Sequence, residues 1–426
     1  MALRNRTPSV SRSVIGDGML DSRAAWVRLG LLLLVSSIGG VGMWSVVVTL
    51  PAVQVEFGVA RAGAALPYTL TMLGFAVGGV VMGRASDRFG IARVVAVAGL
   101  MLAIGYAFAS RTHDLLTYAL VHGVLIGMLG SGALFGPVMA EASLWFRRRR
   151  GVAVAIAAAG NYVAGAVWPP ILAATTQSYG WRATELGVGL VMLLTIAPLA
   201  WLLRTPPPVQ REAVVVSVGA AASQTRLGLT PGVLLTLLVA AGLGCCVAMS
   251  MPQVHIVAYC ADLGYGPARG AEMLSLMLGL GIISRVGSGW VADRIGGLPT
   301  LLVGSTLQLA SLSLFLFFDT LTSLYVIAGL FGLFQGGIVP SYAIIVREYF
   351  PANGAGAKVG LVLAATVIGM ALGGWMTGEI FDRTGSYRLA FANGIAWNMM
   401  NGAIAATLLW RAHFRRGSNV RRTAIA

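Results

Sequence analysis

The chain is built from long apolar runs, each about as long as a helix needs to be to cross a lipid bilayer. A hydrocarbon layer about 30 Å thick takes roughly 20 helical residues. Hydrophobic residues make up 57% of the chain and charged residues only 11%, so lipid rather than a water-soluble core must surround these runs. The runs are continuous, whereas the strands of a membrane barrel alternate apolar and polar residues. The sequence therefore predicts an all-α membrane protein.

We predict twelve membrane-spanning helices, six on each side of a polar linker at 204–229. The predicted spans lie near residues 27–50, 66–83, 94–110, 115–140, 151–174, 184–203, 230–258, 270–291, 299–318, 322–346, 358–378 and 389–410. The arginine-bearing stretch before the first span shows no signal-peptide cleavage site, so we expect that span to be retained. The predicted organisation is a tail at 1–26, a first half at 27–203, the linker, a second half at 230–410 and a tail at 411–426.

The two predicted halves repeat one another. The segments "GRASDRFGIAR" at 83–93 and "GWVADRIGG" at 289–297 share Gly, Asp, Arg and Gly at one constant offset. Glycine and proline also recur in "GSGALFGP" of the fourth span and "GGIVP" of the tenth, where we expect the helices to bend. Parallel repeats of this kind place a substrate between two halves that rock against each other. Membrane transport is the hypothesis that follows.

The basic residues are distributed unevenly about the predicted spans. Most of the 30 Lys and Arg residues lie on the side that holds both termini and the linker. Short basic loops remain in the cytoplasm during membrane insertion. We therefore predict a multi-pass protein of the cell (inner or plasma) membrane with both termini cytoplasmic. Topology also accounts for the net charge of +15 and for the four arginines at 147–150, so we expect no nucleic-acid partner.

Arg285 lies well inside the predicted span 270–291. An arginine at this depth costs at least about 2.5 kcal/mol and as a rule faces an interior or aqueous cavity. Gly281 and Gly289 share its helical face and leave room for a ligand. Because Glu141 and Glu379 lie at span ends, the predicted counter-ion is the carboxylate of a substrate, which a guanidinium binds through two hydrogen bonds. The alternative is an arginine bonded to helix-end carbonyls or lifted to the membrane surface.

His255 follows Pro252 in the seventh predicted span and is the second candidate for a substrate site. Its titration range suits a proton carrier or a donor to a carboxylate, and a neutral histidine bonded within the bundle is the alternative. Tyr342, Gln335 and Asn161 could supply hydrogen bonds to a small anion, with core packing as their alternative. These polar side chains complete the predicted substrate site.

Further candidates are weak. Core packing explains Trp44, Tyr68 and Tyr162 better than substrate contact does. The three cysteines show neither metal-ligand nor disulfide spacing, and we read them as buried thiols. No nucleotide-binding loop follows a strand and no nucleophile–base pair is evident. We expect no enzyme activity, no cofactor and no metal.

The turn between the second and third spans resembles the signature of the major facilitator superfamily, G-x-x-x-D-R-x-G-x-x-R. The matching residues are Gly83, Asp87, Arg88, Gly90 and Arg93, with a weaker repeat at Gly289, Asp293 and Arg294. The resemblance implies the fold of that superfamily, with twelve helices in two pseudo-symmetric halves. It also implies that the two turns form a cytoplasmic gate, closed by carboxylate–arginine contacts when the opposite side is open.

A narrower resemblance lies at 145–160, where "WFRRRRGVAVAIAAAG" is similar to the start of helix 5 in the monocarboxylate porters and their oxalate/formate-antiporter relatives. The matching positions include Phe146, Arg147, Arg149 and Gly160. "MPQVHIVAYCADLGYG" and "SRVGSGWVADRIG" resemble helices 7 and 8 of that branch, with His255 as its histidine and Arg285 as its arginine.

The chain departs from that branch at three places. The acidic and aromatic motif before helix 1 survives only as Asp21 and Trp26. Gly281 stands where proton-coupled animal members carry an aspartate. The fourth span has His122 and lacks the arginine that many proton-coupled members of the superfamily place there. Proton coupling by the best-known route is therefore not implied.

The resemblance implies a secondary active transporter that moves a small organic anion, most simply a monocarboxylate, by alternating access. Proton symport and anion exchange both remain open as its coupling. An efflux pump for drugs or other hydrophobic compounds is the alternative, and a transport-fold sensor is the weakest reading. The expected partners are the anion, protons in the case of symport, and the lipid bilayer. We expect the protein to function as a monomer.

Overall fold

The computed structural model describes residues 19–207, 227–350 and 354–423 of the 426-residue chain. These residues are mainly helical, and no strand occurs within the described ranges. Residues 1–18 of the predicted N-terminal tail, 208–226 of the linker and 424–426 of the C-terminal tail lie outside them. Several of the arginines on which the predicted membrane orientation depends lie in these undescribed segments.

Twelve long helices follow one another along the described chain. They are α1 (Arg23–Phe57), α2 (Arg61–Phe89), α3 (Ile91–Ala109), α4 (Leu115–Leu144), α5 (Arg150–Tyr179), α6 (Trp181–Leu202), α7 (Pro231–Asp262), α8 (Pro267–Ile295), α9 (Gly297–Leu314), α10 (Leu321–Tyr349), α11 (Ala355–Thr384) and α12 (Tyr387–Thr423). The first eleven are long and apolar enough to cross a membrane, and α12 covers the twelfth predicted span. The predicted all-α membrane class is confirmed.

Two helices extend beyond the predicted membrane spans. Helix α1 begins at Arg23 rather than at residue 27, because the Ser22 hydroxyl accepts a hydrogen bond from the Ala25 backbone N–H and caps the helix there. Helix α12 continues to Thr423, so most of the predicted tail at 411–426 is helical. The apolar pattern ends near residue 410, but alanine and arginine are good helix formers, and the helix continues past the hydrophobic run.

Three of the helices are interrupted. Helix α1 breaks at Gly40, between two α-helical segments. Helix α4 adopts a π-helix over His122–Ser131 before it resumes as an α-helix at Gly136–Leu144. Helix α10 breaks between Gln335 and Ile338. The interruptions in α4 and α10 confirm the bends predicted from their glycines and prolines.

The two six-helix halves meet along two pairs of helices, α2 with α11 and α5 with α8. Small residues bring these helices together. Gly374 of α11 faces the ring of Tyr68 on α2, and Gly281 of α8 faces the ring of Tyr162 on α5. Close approach at small residues is the usual way in which membrane helices associate, since lipid provides little hydrophobic force between them.

Within the first half, α2 packs directly on the π-helical segment of α4. Gly78 of α2 lies against the backbone of Met128, and Gly74 lies against the carbonyl of Gly123. A methyl group at either glycine would collide with backbone atoms, which cannot rotate away as a side chain can. The neighbouring Gly79 has no atom within 4 Å of the position that its Cβ would occupy.

We expect Gly78→Ala to destabilise the protein and Gly79→Ala to leave it unchanged or slightly more stable. Overpacking costs about 1–3 kcal/mol, whereas alanine in an open helical position is favoured over glycine by roughly 1 kcal/mol. Thermal unfolding of the two purified variants, followed by size-exclusion chromatography, measures the difference. Equal melting temperatures would contradict the described α2–α4 contact.

Candidate functional site

The bundle has two ends, which we name from the linker. The linker end contains the end of α6 at Leu202 and the start of α7 at Pro231. The start of α1 lies there too, because Arg28 donates a hydrogen bond to the Leu203 carbonyl at 2.9 Å. Since successive helices alternate in direction, the turns at 83–93 and 289–297 also lie at the linker end. The connections from α1 to α2 and from α7 to α8 lie at the opposite end, the far end.

The far end is closed by contacts between the two halves. The Asp382 carboxylate of α11 accepts hydrogen bonds from the backbone N–H groups of Arg61 and Ala62 at the start of α2, both at 2.8 Å. The Arg61 guanidinium donates to the Tyr387 hydroxyl at 2.6 Å and to Asp262 at 3.1 Å. We call Arg61, Asp262, Asp382 and Tyr387 the far-end latch. Three helices of the second half thus hold the first turn of α2.

The sequence analysis did not identify the far-end latch. It treated Arg61 only as one of the few basic residues on the less basic side. Yet the Arg61 side chain is 8% exposed, and its guanidinium carbon lies 4.9 Å from the centre of the Phe381 ring. The partners of Arg61 lie far along the chain in the other half, so local spacing contains no signal for the cluster.

The motif residues at the linker end make no comparable contacts. Asp87, Arg88, Arg93, Asp293 and Arg294 are exposed. Among the described residues, no ion pair within 4 Å involves Asp87 or Asp293. Open space surrounds the Cβ positions of Gly83, Gly90 and Gly289. The gate role of these turns, which concerns the conformation open at the far end, stays a prediction.

The helix 5 signature packs against the residues that precede and begin α1. Phe146 is buried and meets Trp26 edge to face, with ring centroids 5.0 Å apart. The Asp21 carboxylate accepts backbone N–H hydrogen bonds from residues 147–149 at 3.0–3.4 Å, which hold the pKa of its carboxyl below the usual value. Gly160 lies against Ser36 of α1. The helix 5 signature at 145–160 and the acidic and aromatic residues Asp21 and Trp26 therefore contact each other directly.

Glu141, a carboxylate weighed as a partner for Arg285, is already neutralised. Its Oε1 lies 2.7 Å from Nη2 of Arg28, and both side chains are buried. The Trp145 indole donates to the same oxygen at 2.9 Å. This ion pair joins α1 to α4 at the linker end and leaves Glu141 unavailable to any other cation.

Arg285 lies where α5 and α8 bring the two halves together. Its Nε donates to the Gly336 carbonyl of α10 at 3.4 Å, and its Nη1 donates to the Ala158 carbonyl of α5 at 3.3 Å. The guanidinium carbon lies 4.3 Å from the centre of the Tyr162 ring. Within the described residues, no carboxylate comes within 4 Å of this guanidinium. Two carbonyl dipoles and an aromatic ring stabilise the Arg285 guanidinium, but none of them carries a negative charge.

Tyr162 of α5 is the aromatic neighbour of Arg285. Tyr68 of α2 packs on Gly374 of α11, whose carbonyl oxygen lies 2.8 Å from His255 Nε2. The Tyr68 hydroxyl is buried and has no hydrogen-bond partner among the described residues. The prediction that Gly281 leaves room beside the guanidinium is wrong, because the Tyr162 ring occupies that space. The guanidinium and the ring beside it remain, and we call Arg285 and Tyr162 the candidate anion site.

The structure separates the other polar candidates. Gln335 adjoins Gly336; its Oε1 accepts from Gln253 at 3.0 Å, and its Nε2 is buried without a partner among the described residues. Asn161 adjoins Tyr162, and its Oδ1 likewise has no described partner. Tyr342 instead donates to Asn401 at 2.9 Å inside the second half. The Asn161 side chain faces Gly40 of α1, the Gln335 side chain bonds Gln253 of α7, and the Tyr342 hydroxyl is occupied by Asn401.

His255 lies nearer the far end than the candidate anion site. Its Nε2 lies 2.8 Å from the Gly374 carbonyl, and its Nδ1 is buried without a partner among the described residues. Among the described residues no hydrogen bond joins His255 to Arg285, and a shared role of the two in substrate binding stays a prediction. A role for His255 in carrying a proton stays a prediction.

The sequence analysis also missed Glu185, although it is the second residue of the sixth predicted span. It weighed only Glu141 and Glu379 as carboxylates within or beside the spans. Glu185 is buried, and its Oε1 lies 3.3 Å from His122 Nε2. The available signal was a lone glutamate one turn into an apolar run.

Two six-helix halves, a latch that closes one end and an uncompensated cation between the halves define a membrane transport protein. A family model of the Major Facilitator Superfamily matches residues 32–323 and 288–425. The chain belongs to the Major Facilitator Superfamily. It is accordingly a membrane transporter and not an enzyme.

Several relatives place the chain within that superfamily. Monocarboxylate transporter 13 of Rattus norvegicus is 30% identical over 325 residues, which cover 76% of this chain and 74% of that protein. Monocarboxylate transporter 11 of Mus musculus is 29% identical over 321 residues, covering 72% and 70%. The MFS-type transporter pynF of Aspergillus niger is 24% identical over 419 residues, covering 94% and 93%. The predicted resemblance to the monocarboxylate transporter-like branch is confirmed.

Solved structures of other transporters share the fold. The nucleoside transporter NupG superposes with a TM-score of 0.68 at 12% identity, covering 90% of this chain and 99% of that one. A bacterial homologue of the human lysosomal transporter Spinster, in an inward-facing and occupied conformation, superposes with a TM-score of 0.66 at 15% identity, covering 93% and 97%. At these identities the likeness shows the fold alone.

We expect Asp382→Asn to open the far end, because a neutral amide cannot replace a carboxylate that accepts from two N–H groups at a helix N-terminus. Ala65 is fully buried on α2, one turn after the latch. In protein without its natural cysteines, Ala65→Cys should react with a maleimide about fivefold faster, or more, when Asp382→Asn is present. Labelling in nanodiscs exposes both faces to the reagent.

Asp319→Asn is the matched control for this experiment. Asp319 is an exposed far-end carboxylate that pairs with Arg388 within the second half, at 3.6 Å. Its substitution should leave the labelling rate at Ala65→Cys unchanged. A rate unaffected by Asp382→Asn, or raised equally by both substitutions, would show that the latch does not close the far end.

Proposed function

We propose that the protein is a secondary active transporter that moves a small organic anion, most simply a monocarboxylate, by alternating access. The observation that carries the proposal is the Arg285 guanidinium, which lies between the halves without a carboxylate partner in the described chain. An arginine within a membrane span is costly, pairs with another charge or with backbone carbonyls, and often marks a substrate pathway. The names of the monocarboxylate transporters among the relatives support the same substrate class.

The proposed binding step exchanges weak contacts of Arg285 for strong ones. Its bonds to the Ala158 and Gly336 carbonyls are long, at 3.3 and 3.4 Å. A carboxylate could instead accept two charge-assisted hydrogen bonds from the guanidinium at about 2.8 Å. The unpaired Tyr68 hydroxyl would donate to a second oxygen of the same anion. The anion thereby contacts both halves, since Tyr68 belongs to the first and Arg285 to the second.

The proposed cycle alternates between a conformation closed at the far end and a conformation closed at the linker end. In the conformation with the far-end latch formed, the linker-end turns make no ion pair with each other in the described chain, and the proposed cycle gives the anion access from the linker end. Rocking of the halves would break the bonds of Arg61 to Asp262 and Tyr387 and bring the turns at 83–93 and 289–297 together. We assign the linker end to the cytoplasm of a cell membrane, because the basic residues concentrate there. A monomer contains all of these parts, and proton symport or anion exchange would drive the flux.

We expect Arg285→Gln to abolish uptake of a labelled monocarboxylate such as acetate into proteoliposomes. Loss of a charge-assisted pair costs about 1.5–3 kcal/mol, which lowers affinity roughly tenfold to a hundredfold. Arg269→Gln is the control, since Arg269 is an exposed arginine of the same helix that pairs with Glu272. Its uptake should match the wild type.

Uptake that persists in Arg285→Gln would contradict the proposal and favour the efflux-pump alternative, whose site does not need a cation. Export of a hydrophobic dye by both the wild type and Arg285→Gln would establish that alternative. Dye export without acetate uptake, in both the wild type and Arg285→Gln, would also favour the efflux pump.

Two tyrosine substitutions separate substrate contact from packing. Tyr68→Phe removes the unpaired hydroxyl and should raise the KM for acetate about threefold to tenfold, with an unchanged melting temperature. Tyr342→Phe removes a hydroxyl that bonds Asn401, so it should lower the melting temperature and leave KM unchanged. Kinetics and thermal unfolding of the purified variants test both statements. The opposite pattern would make Tyr342, rather than Tyr68, the donor to the anion.

A further inference from the structure

A second buried polar cluster lies wholly inside the first half, away from the candidate anion site. His122 of α4 is fully buried, and its Nε2 lies 3.3 Å from Oε1 of Glu185 on α6, which is 1% exposed. The Tyr118 hydroxyl donates to the same glutamate oxygen at 2.6 Å. We call His122, Glu185 and Tyr118 the inner cluster.

The side chains that contact the inner cluster from α1, α3 and α6 are polar or aromatic. Helix α1 supplies Thr49, whose hydroxyl lies 3.4 Å from that of Tyr118, and Ser45, 2.8 Å from the Tyr106 hydroxyl of α3. The Tyr106 ring meets His122 at 6.0 Å. Trp181 of α6 covers the cluster toward the far end. Among the described residues, no arginine or lysine pairs with Glu185.

The nearest pair of charged side chains lies beyond this cover. Glu56 and Arg182 form an ion pair at 2.7 Å, and the Trp181 indole donates to Glu56. Because Arg182 is paired with Glu56, it does not neutralise Glu185. The charge state of the inner cluster is therefore decided by His122 and Glu185 alone.

Electrostatics then fixes how many protons this pair holds. With one proton the pair is neutral, whether the proton resides on the imidazole or on the carboxyl. Without it a single negative charge remains in a medium of low dielectric constant, and with a second proton a single positive charge remains. Either change is costly while the cluster is dry and becomes accessible when water enters. The pair thus behaves as a unit that gains or loses a proton only in a conformation that admits water.

One atom of each residue in the His122–Glu185 pair has no hydrogen-bond partner among the described residues. These atoms are His122 Nδ1 and Glu185 Oε2, and both are buried. A purely structural polar network gains most when each of its members is satisfied. An unpaired imidazole nitrogen beside an unpaired carboxylate oxygen is instead a pair of positions that a proton or a water molecule can occupy.

The backbone at His122 is unusual in the same place. The π-helical segment of α4 begins at this residue and continues to Ser131. π-Helical segments are rare and are frequently found at functional sites. Gly123 and Gly127 of the segment pack against α2, whose first residue is Arg61 of the far-end latch. Helix α2 thus connects the latch to the helix that carries His122.

We propose that His122 and Glu185 form a proton-binding site that couples proton movement to transport. The inference rests on the proposed anion transport and selects symport as its mode. The pair takes a proton from water at one side as an N–H or O–H bond and returns it to water at the other side. No other bond forms or breaks, and no second reactant is needed.

The first test measures coupling in proteoliposomes with labelled acetate. The wild type should accumulate acetate when an inward proton gradient is imposed. Glu185→Gln should reduce this accumulation at least tenfold, while exchange of external for internal acetate stays within twofold of the wild type. Glu56→Gln, a matched change at an ion-paired glutamate of the same half, should resemble the wild type. Gradient-driven accumulation retained by Glu185→Gln, or exchange without any gradient-driven accumulation in the wild type, would overturn the proposal.

The second test needs no transported anion, so it separates this proposal from the proposed function. Infrared difference spectra of the protein in nanodiscs, recorded across a pH titration, report protonation of buried carboxyl groups. A carbonyl band present in the wild type and in Glu56→Gln should be absent from Glu185→Gln. An identical titration in Glu185→Gln and the wild type would overturn the proposal. If the wild type moves no organic anion and the band is still lost, the proposed function fails and the proton site stands.

Tyr118→Phe keeps the tests decisive if Glu185→Gln does not fold. It removes the hydroxyl that bonds Glu185 and changes no charge. The stretching frequency of a carboxyl carbonyl depends on the hydrogen bonds that the group makes, so the carbonyl band of Glu185 should shift in frequency in Tyr118→Phe. A band at the wild-type frequency would overturn the proposal.

Discussion

A charged side chain inside a membrane protein must be stabilised by the protein itself, and this constraint determines how the structure is organised. Arg28 is neutralised by Glu141, and Arg61 is held by Asp262 and the Tyr387 hydroxyl. Arg285 differs from both, since only two carbonyls and an aromatic ring surround it among the described residues. This contrast is the reason for proposing Arg285, and neither Arg28 nor Arg61, as the arginine that binds an anion.

The position of Arg285 also connects binding to conformation. Its guanidinium touches Ala158 of the first half and Gly336 of the second, at the break in α10. An anion that draws the guanidinium away from these carbonyls loosens a contact between the halves. The far-end latch provides the opposing contact, and both involve few side chains. Because few contacts stabilise each closed end, the two conformations can differ little in free energy, and both can be populated.

The sequence predicted the helices and the halves because hydrophobic runs and repeated motifs are local signals. It predicted the bends in α4 and α10 from glycine and proline, and it identified Arg285 from its depth in a span. It could not predict the partners of Arg61 or the Arg28–Glu141 pair, which depend on how distant helices pack. It named His255 and Arg285 together because both lie inside spans, and their shared role stays a prediction. Helix α12 extends past the predicted span because hydropathy marks lipid contact and not helix length.

The most direct measurement of the central claim is the distance between a bound carboxylate and the arginine nitrogens. Solid-state NMR of protein with ¹⁵N-labelled arginine and ¹³C-carboxyl-labelled acetate reports the carbon–nitrogen dipolar coupling. The account predicts a strong coupling from two guanidinium nitrogens that disappears in Arg285→Gln. A coupling that persists in that variant, or acetate bound with no coupling to any arginine, would contradict it.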